Sequence, residues 1–155
     1  MAVRTPVDNI EGTYFITFTC QHWLPLFEIT NSYDTVYKWF DHLKTKRHYI
    51  KSYVVMPNHL HALIDFGVLE KNINTMVSNG KRFIAYEIVK RLQEQNNEEI
   101  LLNLAEAVTK SDKDRGKKHQ VFERSFDCKL ITTNHFFLEK LNYIQTILAV
   151  ECGDW

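Results

Sequence analysis

An α+β fold, an antiparallel sheet with helices packed against one face, is what this 155-residue sequence predicts. Three observations lead there. Four aromatic and β-branched runs alternate with stretches of helical periodicity in the order β-α-β-β-α-β-α. The second and third runs are separated only by a Pro57-Asn58 turn, so short a connection that the two strands should pair antiparallel. The chain is 45% hydrophobic with only five glycines and three prolines, enough apolar material to bury a core. At this length one domain spanning residues 1–155 is expected.

The first strand is Tyr14 to Cys20, aromatic and β-branched nearly throughout. Pro25 and Asn31-Ser32 then interrupt, and Ser32 is a candidate N-cap for a helix to about His48, with Val36, Phe40 and Leu43 at helical spacing. Ile50 to Met56 and His59 to Phe66 are the next two strands. Helical periodicity returns over Lys71 to Gln95 through Ile73, Val77, Ile84, Ile88 and Leu92, with Gly80 placed to weaken or divide it. Residues 96–120 are polar, with a short helix at Glu98 to Val108 and a basic loop after it. Val121 to Thr132 predicts a further strand, and Thr133 or Asn134 caps a last helix through about Val150.

Charge excludes a uniformly basic nucleic-acid coat, because 19 basic side chains balance 19 acidic ones. Local segregation survives. Lys38 to Lys51 and Lys110 to Lys118 are basic, while Glu94, Glu98, Glu99 and Glu106 gather the acids, although a solvated surface gives the same pattern. The odd trio Cys20, Cys128 and Cys152 lacks Cys-x-x-Cys spacing and points to reduced thiols, not a disulfide scaffold or cysteine zinc site. No apolar run approaches the roughly 18 residues of a membrane span, and Met1 to Gly12 is too polar for a secretory signal. A cytoplasmic, nucleoid-associated protein without membrane partners is expected.

Met56-Pro57-Asn58-His59-Leu60-His61 is the most informative stretch. Residues two apart on a strand share a face, so His59 and His61 project side by side while Leu60, Ala62 and Ile64 face a core. Two neutral imidazoles so placed can share one divalent metal. The pattern alone also fits two surface histidines beside a turn.

This segment strongly resembles the His-hydrophobic-His signature of the single-tyrosine (HUH) transposases, and looks most like that of the REP-associated tyrosine transposases and their insertion-sequence relatives. Tyr14-Phe15-Ile16-Thr17-Phe18-Thr19 resembles their opening strand and Val121-Phe122-Glu123-Arg124-Ser125-Phe126-Asp127 the strand before the last helix. Phe137-Leu138-Glu139-Lys140-Leu141-Asn142-Tyr143-Ile144 resembles their nucleophile-bearing helix. The resemblance implies a ferredoxin-like fold and metal-dependent cleavage and strand transfer of single-stranded DNA. It implies His59 and His61 as ligands of Mg²⁺ or Mn²⁺ and Tyr143 as the nucleophile that forms a 5′-phosphotyrosine. A hairpin with a short single-stranded flank is the implied substrate, and relatives include dimers, so a homodimer is a candidate assembly.

Helix geometry permits that role for Tyr143. Phe137, Leu141, Ile144 and Leu148 form an apolar stripe, and Tyr143 lies roughly 130° from its centre, on the face of Lys140 and Ile147. A phenol with a pKa of about 10 is ionised in only about one molecule in a thousand at neutral pH, so activation is required. Lys140 could serve, or simply face solvent. The match breaks one turn later. The family often places a polar third ligand four residues after the tyrosine, and here that residue is Ile147, while Gln145 projects from another face. Asp65 shares the strand face of the histidines but lies about 13 Å from His61 at strand rise. The divergent stretch from Gln145 to Trp155 reads as ordinary divergence or a frameshift near codon 145.

Candidate phosphate contacts are Lys44, Lys46, Arg47, Lys81, Arg82, Lys117 and Lys118, with Trp23, Phe27 and Tyr86 as stacking platforms unless they pack in the core. Beside the transposase stand two alternatives. One is a domesticated or decayed relative that binds hairpin DNA without cutting it, which Ile147 favours. The other is a metal-dependent nuclease that activates water.

Overall fold

The computed structural model describes residues 9–152, and the side chains of residues 9–150. Strand β1 (Gly12–Thr19) is followed by a 3-10 turn at Gln21–Trp23, a short helix α1 (Leu26–Ile29) and helix α2 (Tyr33–Thr45). Strands β2 (His48–Val55) and β3 (His59–Phe66) form the hairpin, closed by Met56 N–H donating to His59 O at 2.8 Å. Helices α3 (Ile73–Glu94), α4 (Glu98–Glu106) and α5 (Lys110–Asp114) precede β4 (Asp127–Leu130) and the last helix α6 (Asn134–Cys152). The strand order is β2-β3-β1-β4 with every neighbouring pair antiparallel. This is the ferredoxin-like order, in which β3 is inserted between β1 and β2.

Alternation along the two central strands decides what each face buries. Tyr14, Ile16 and Phe18 of β1, with Leu60, Ala62, Ile64 and Phe66 of β3, enter the main core. Val36, Trp39, Phe40 and Leu43 of α2 and the stripe Ile73, Val77, Ile84, Ile88 and Leu92 of α3 close it. The opposite face also has apolar positions, Phe15, Val54 and Leu63, and α6 covers them with Ile144. The last helix therefore departs from the one-face expectation, because β1 and β3 carry an apolar side chain at an odd position too.

Helix α3 runs through Gly80 without a break. A Cβ there would lie 2.3 to 2.8 Å from the Trp39 indole, so the glycine lets α2 and α3 approach closely, and packing overrides its poor helix propensity. Arg91 of α3 also clamps α2, donating from Nη1 and Nη2 to the two Asp34 oxygens at 2.9 and 3.0 Å. Thr133 caps α6, its Oγ1 accepting from Phe136 N–H at 3.1 Å. Ser32 makes no such cap bond to α2; its Oγ accepts from the Thr30 hydroxyl at 2.7 Å instead.

The strand expected over Val121 to Thr132 is cut short. Only Asp127–Leu130 pairs with β1, after an isolated bridge between Cys20 and Phe122. Between them Phe122 and Phe126 turn into the core around Lys81. The basic loop after α4 is partly helical, as α5, and Arg124 ties it down through Asp112 Oδ2 at 2.7 Å. Cys20 and Cys128 are buried free thiols, each pushed up to about 12 by burial. Cys152 lies outside the described side chains. Among the described residues no helix is long and apolar enough to cross a membrane.

Candidate active site

His59 opens β3 and His61 follows on the same face, the one α6 crosses; their ring centroids are 4.8 Å apart and the rings nearly perpendicular. His59 Nδ1 lies 2.6 Å from Asn58 Oδ1. The Asn58 amide nitrogen donates to Trp23 O at 3.5 Å, which assigns the oxygen to the histidine and the ring proton to Nδ1. Nε2 of His59 is then the bare nitrogen. Directly across from His61 on β1 stands Thr17, whose hydroxyl is 2.7 Å from His61 Nδ1, and Phe15 stacks on the His61 ring at 5.6 Å.

These surroundings keep both rings neutral. Burial lowers His59 below the ordinary histidine value. Burial acts first on His61 too, then the charges of His59 and Lys140, bringing it down to about 4. Neutral imidazole is the metal-binding form.

Tyr143 reaches the same place from α6. It is 47% exposed, yet its ring stands edge-on to His61 at 5.2 Å and to Phe15 at 6.3 Å. The stripe of α6 packed on the sheet is Ile144, buried, with Phe137, Leu141 and Ile147 partly buried and Leu148 exposed, so the tyrosine sits at the border of the apolar strip. Lys140 does not simply face solvent. Its Nζ lies 4.9 Å over Phe15 and 5.8 Å over Tyr143, a half-buried cation beside the phenol. Ile147 belongs to the apolar cluster and offers no donor atom. Asp65 is turned to Thr13 at 3.5 Å and Lys51 at 3.9 Å. Among the described residues no group of three or more His, Cys, Asp or Glu is placed to hold a metal ion.

Two solved structures share this architecture over nearly the whole chain. One is a REP-associated tyrosine transposase bound to a REP hairpin, 17% identical, with a TM-score of 0.61, covering 98% of this chain and 75% of that one. The other is a candidate transposase from Deinococcus radiodurans, 12% identical, with a TM-score of 0.50, covering 94% of this chain and 97% of that one. The chain has their fold. No protein-family model and no curated protein matches it.

The basic residues expected at phosphates are not gathered around the histidines. Lys44, Lys46 and Arg47 are exposed at the end of α2, Lys44 paired with Asp41 at 3.3 Å, and Arg82 is exposed on α3. Lys118 is exposed and Lys117 half-buried in the stretch after α5, burial lowering the Lys117 ammonium. Lys81 cannot be a phosphate contact. It is 1% exposed, donates to Glu123 O at 2.9 Å and is ringed by Phe18, Phe122 and Phe126. Phe27 is likewise core, while Trp23 and Tyr86 are 63% and 70% exposed. Sequence reasoning missed Thr17 and Asn58 as partners of the histidines. Thr17's alternation with Phe15 was readable; its register against His61 was not.

Proposed function

We propose that this protein is a single-tyrosine transposase that cleaves and rejoins single-stranded, hairpin-forming DNA through Tyr143. The observation that carries the reading is an exposed tyrosine from the last helix set edge-on against the second of two neutral histidines on a central strand. Likeness to a transposase bound to a hairpin supports DNA as the partner.

The two histidines fit a divalent ion in donor chemistry. Asn58 and Thr17 engage one nitrogen of each ring, and the opposite nitrogens of His59 and His61 would hold Mg²⁺ or Mn²⁺, Mn²⁺ being the better match to nitrogen donors. When bound, the ion supplies Lewis-acid polarisation of the scissile phosphate. Tyr143 Oη attacks phosphorus, forming the O–P bond as the P–O3′ bond breaks. The 3′ oxygen departs as a hydroxyl, taking up a proton equivalent to the one the phenol gives up, and the 5′ phosphate stays on the tyrosine. Attack by a 3′-hydroxyl reverses the step, so no nucleotide cofactor is consumed. Lys140 beside the ring favours the phenolate and opposes the charge of the phosphate.

Ile147 favours a second reading, a relative that holds hairpin DNA without cutting it. The deciding experiment mixes the protein with labelled single-stranded hairpin oligonucleotides from the gene's own flanks and Mn²⁺, then runs a denaturing gel. A labelled band at protein mass, absent in Tyr143→Phe and with chelator, is the expected result. Native-gel complexes with no covalent band would establish the binding module instead.

A further inference from the structure

Next to His59 the backbone does something costly. His22 and Trp23 are consecutive non-glycine residues with φ of 53° and 57°, a left-handed conformation that costs about 1 kcal/mol or more for each. Four hydrogen bonds hold them there. Trp23 N–H donates to Cys20 O at 3.1 Å, His22 N–H to Glu123 Oε1 at 3.0 Å, and Asn58 to Trp23 O at 3.5 Å, while His22 Nδ1 meets Asn103 Oδ1 at 3.0 Å. What this arrangement presents is one large aromatic ring, 63% exposed and 5.9 Å from the His59 ring.

Beside that ring is a cavity of about 300 Å³, at the small end of the range of ligand pockets. Thr17 and Thr19 of β1 form one side, and Glu123, Ser125 and Asp127 another. Two carboxylates make it a poor place for a phosphate. They suit a group that donates hydrogen bonds from a flat ring.

We infer that this cavity is a nucleobase subsite, in which the base beside the phosphate attacked by Tyr143 stacks on Trp23 and turns an exocyclic amino group toward Glu123 and Asp127. The inference rests on the transposase reading. Cytosine is accepted and thymine refused, because replacing the N4 amino group by the O4 carbonyl sets acceptor against acceptor. Trp23 supplies affinity for any base and Asp127 supplies the choice among them.

The test uses the full chain and a hairpin oligonucleotide with a randomised single-stranded flank. Strands trapped on Tyr143 with Mn²⁺ are sequenced. Thymine should be depleted about tenfold at one position beside the cleaved phosphate. Trp23→Ala should lower total adduct about tenfold, and Trp23→Phe should restore most of it. Asp127→Asn, which can donate, should admit thymine at that position. Adducts with no base preference, or with a preference unchanged in Asp127→Asn, overturn the subsite and leave the transposase reading intact. If no adduct forms, it is the transposase reading that fails. Tryptophan quenching by ten-residue oligo-dC against oligo-dT then decides the subsite: tighter oligo-dC binding whose advantage is lost in Asp127→Asn sustains it, and equal binding overturns it.

Discussion

Replacing Lys81 by methionine should make the protein's stability less dependent on pH, and the structure fixes the direction and size. Among the described residues the ammonium has one hydrogen bond, to Glu123 O, and no salt bridge, and burial outweighs the nearby Glu123 charge, pulling its pKa from 10.5 to about 7. Between those values the unfolded chain binds a proton at Lys81 that the folded chain does not. Wild-type stability therefore rises with pH across this window and levels off below about 7, where both states are charged. From pH 7.5 to pH 9.5 the linkage relation gives a gain of about 2.5 kcal/mol from this residue alone. Methionine has nothing to titrate. It leaves the Glu123 carbonyl without its donor, a cost that does not depend on pH. The informative quantity is thus the change with pH in the difference between the two proteins, from urea unfolding at the two pH values. Lys81→Met should lose about 2.5 kcal/mol relative to wild type between pH 7.5 and pH 9.5. A difference that moves by less than about 0.5 kcal/mol would refute the account of Lys81 as a desolvated, unpaired cation.

Gly80→Ala should destabilise the protein by about 1 kcal/mol in chemical denaturation, although helix propensity alone predicts a gain of similar size, because the new methyl meets the Trp39 indole. A stabilised variant would mean that α2 and α3 can part without loss. For Asp34→Asn the effect is confined to higher pH. Arg91 holds the Asp34 carboxyl at about 2, below its unfolded value, so the stabilisation is present above that unfolded value and fades as pH falls through about 2. The side chain is 46% exposed, which limits the loss to about 1 kcal/mol near pH 6. Urea midpoints should show a smaller gap at pH 2.5 than at pH 6.

The parts of this molecule that repeat were readable and those that depend on contact were not. Strand β3 begins at His59 as expected, since the Pro57-Asn58 turn and the alternation after it leave little choice of register or face. Tyr143 could be placed off the apolar stripe from helix spacing alone, although the stripe ends on Ile147 instead of Leu148. Lys81 was misread because its charge outweighed its position. It falls on the row of Val77, Ile84 and Ile88, where a helix buries whatever it carries. Gly80 falls on that buried side too, and a glycine inside a strong helical pattern signals close packing as readily as a break. The left-handed pair at His22 and Trp23 left no mark in the sequence. Histidine enters that conformation more readily than most residues but tryptophan does not, and the pair is held by bonds to Glu123, Asn103 and Asn58, far off along the chain.

The two faces of the sheet differ in how firmly they hold what covers them. The face toward α2 and α3 is sealed by a large cluster, whereas among the described residues α6 rests on Phe15, Val54 and Leu63 through one fully buried residue, Ile144, with Phe137, Leu141 and Ile147 partly buried beside it. Free energies of partial opening track such differences, so lifting α6 from the sheet is expected to cost less than global unfolding. In that opened form the histidine pair stays framed by β1 and β2. If Tyr143 is the nucleophile proposed above, a strand attached to it would then travel with the helix, on a tether whose length is set by the chain after β4.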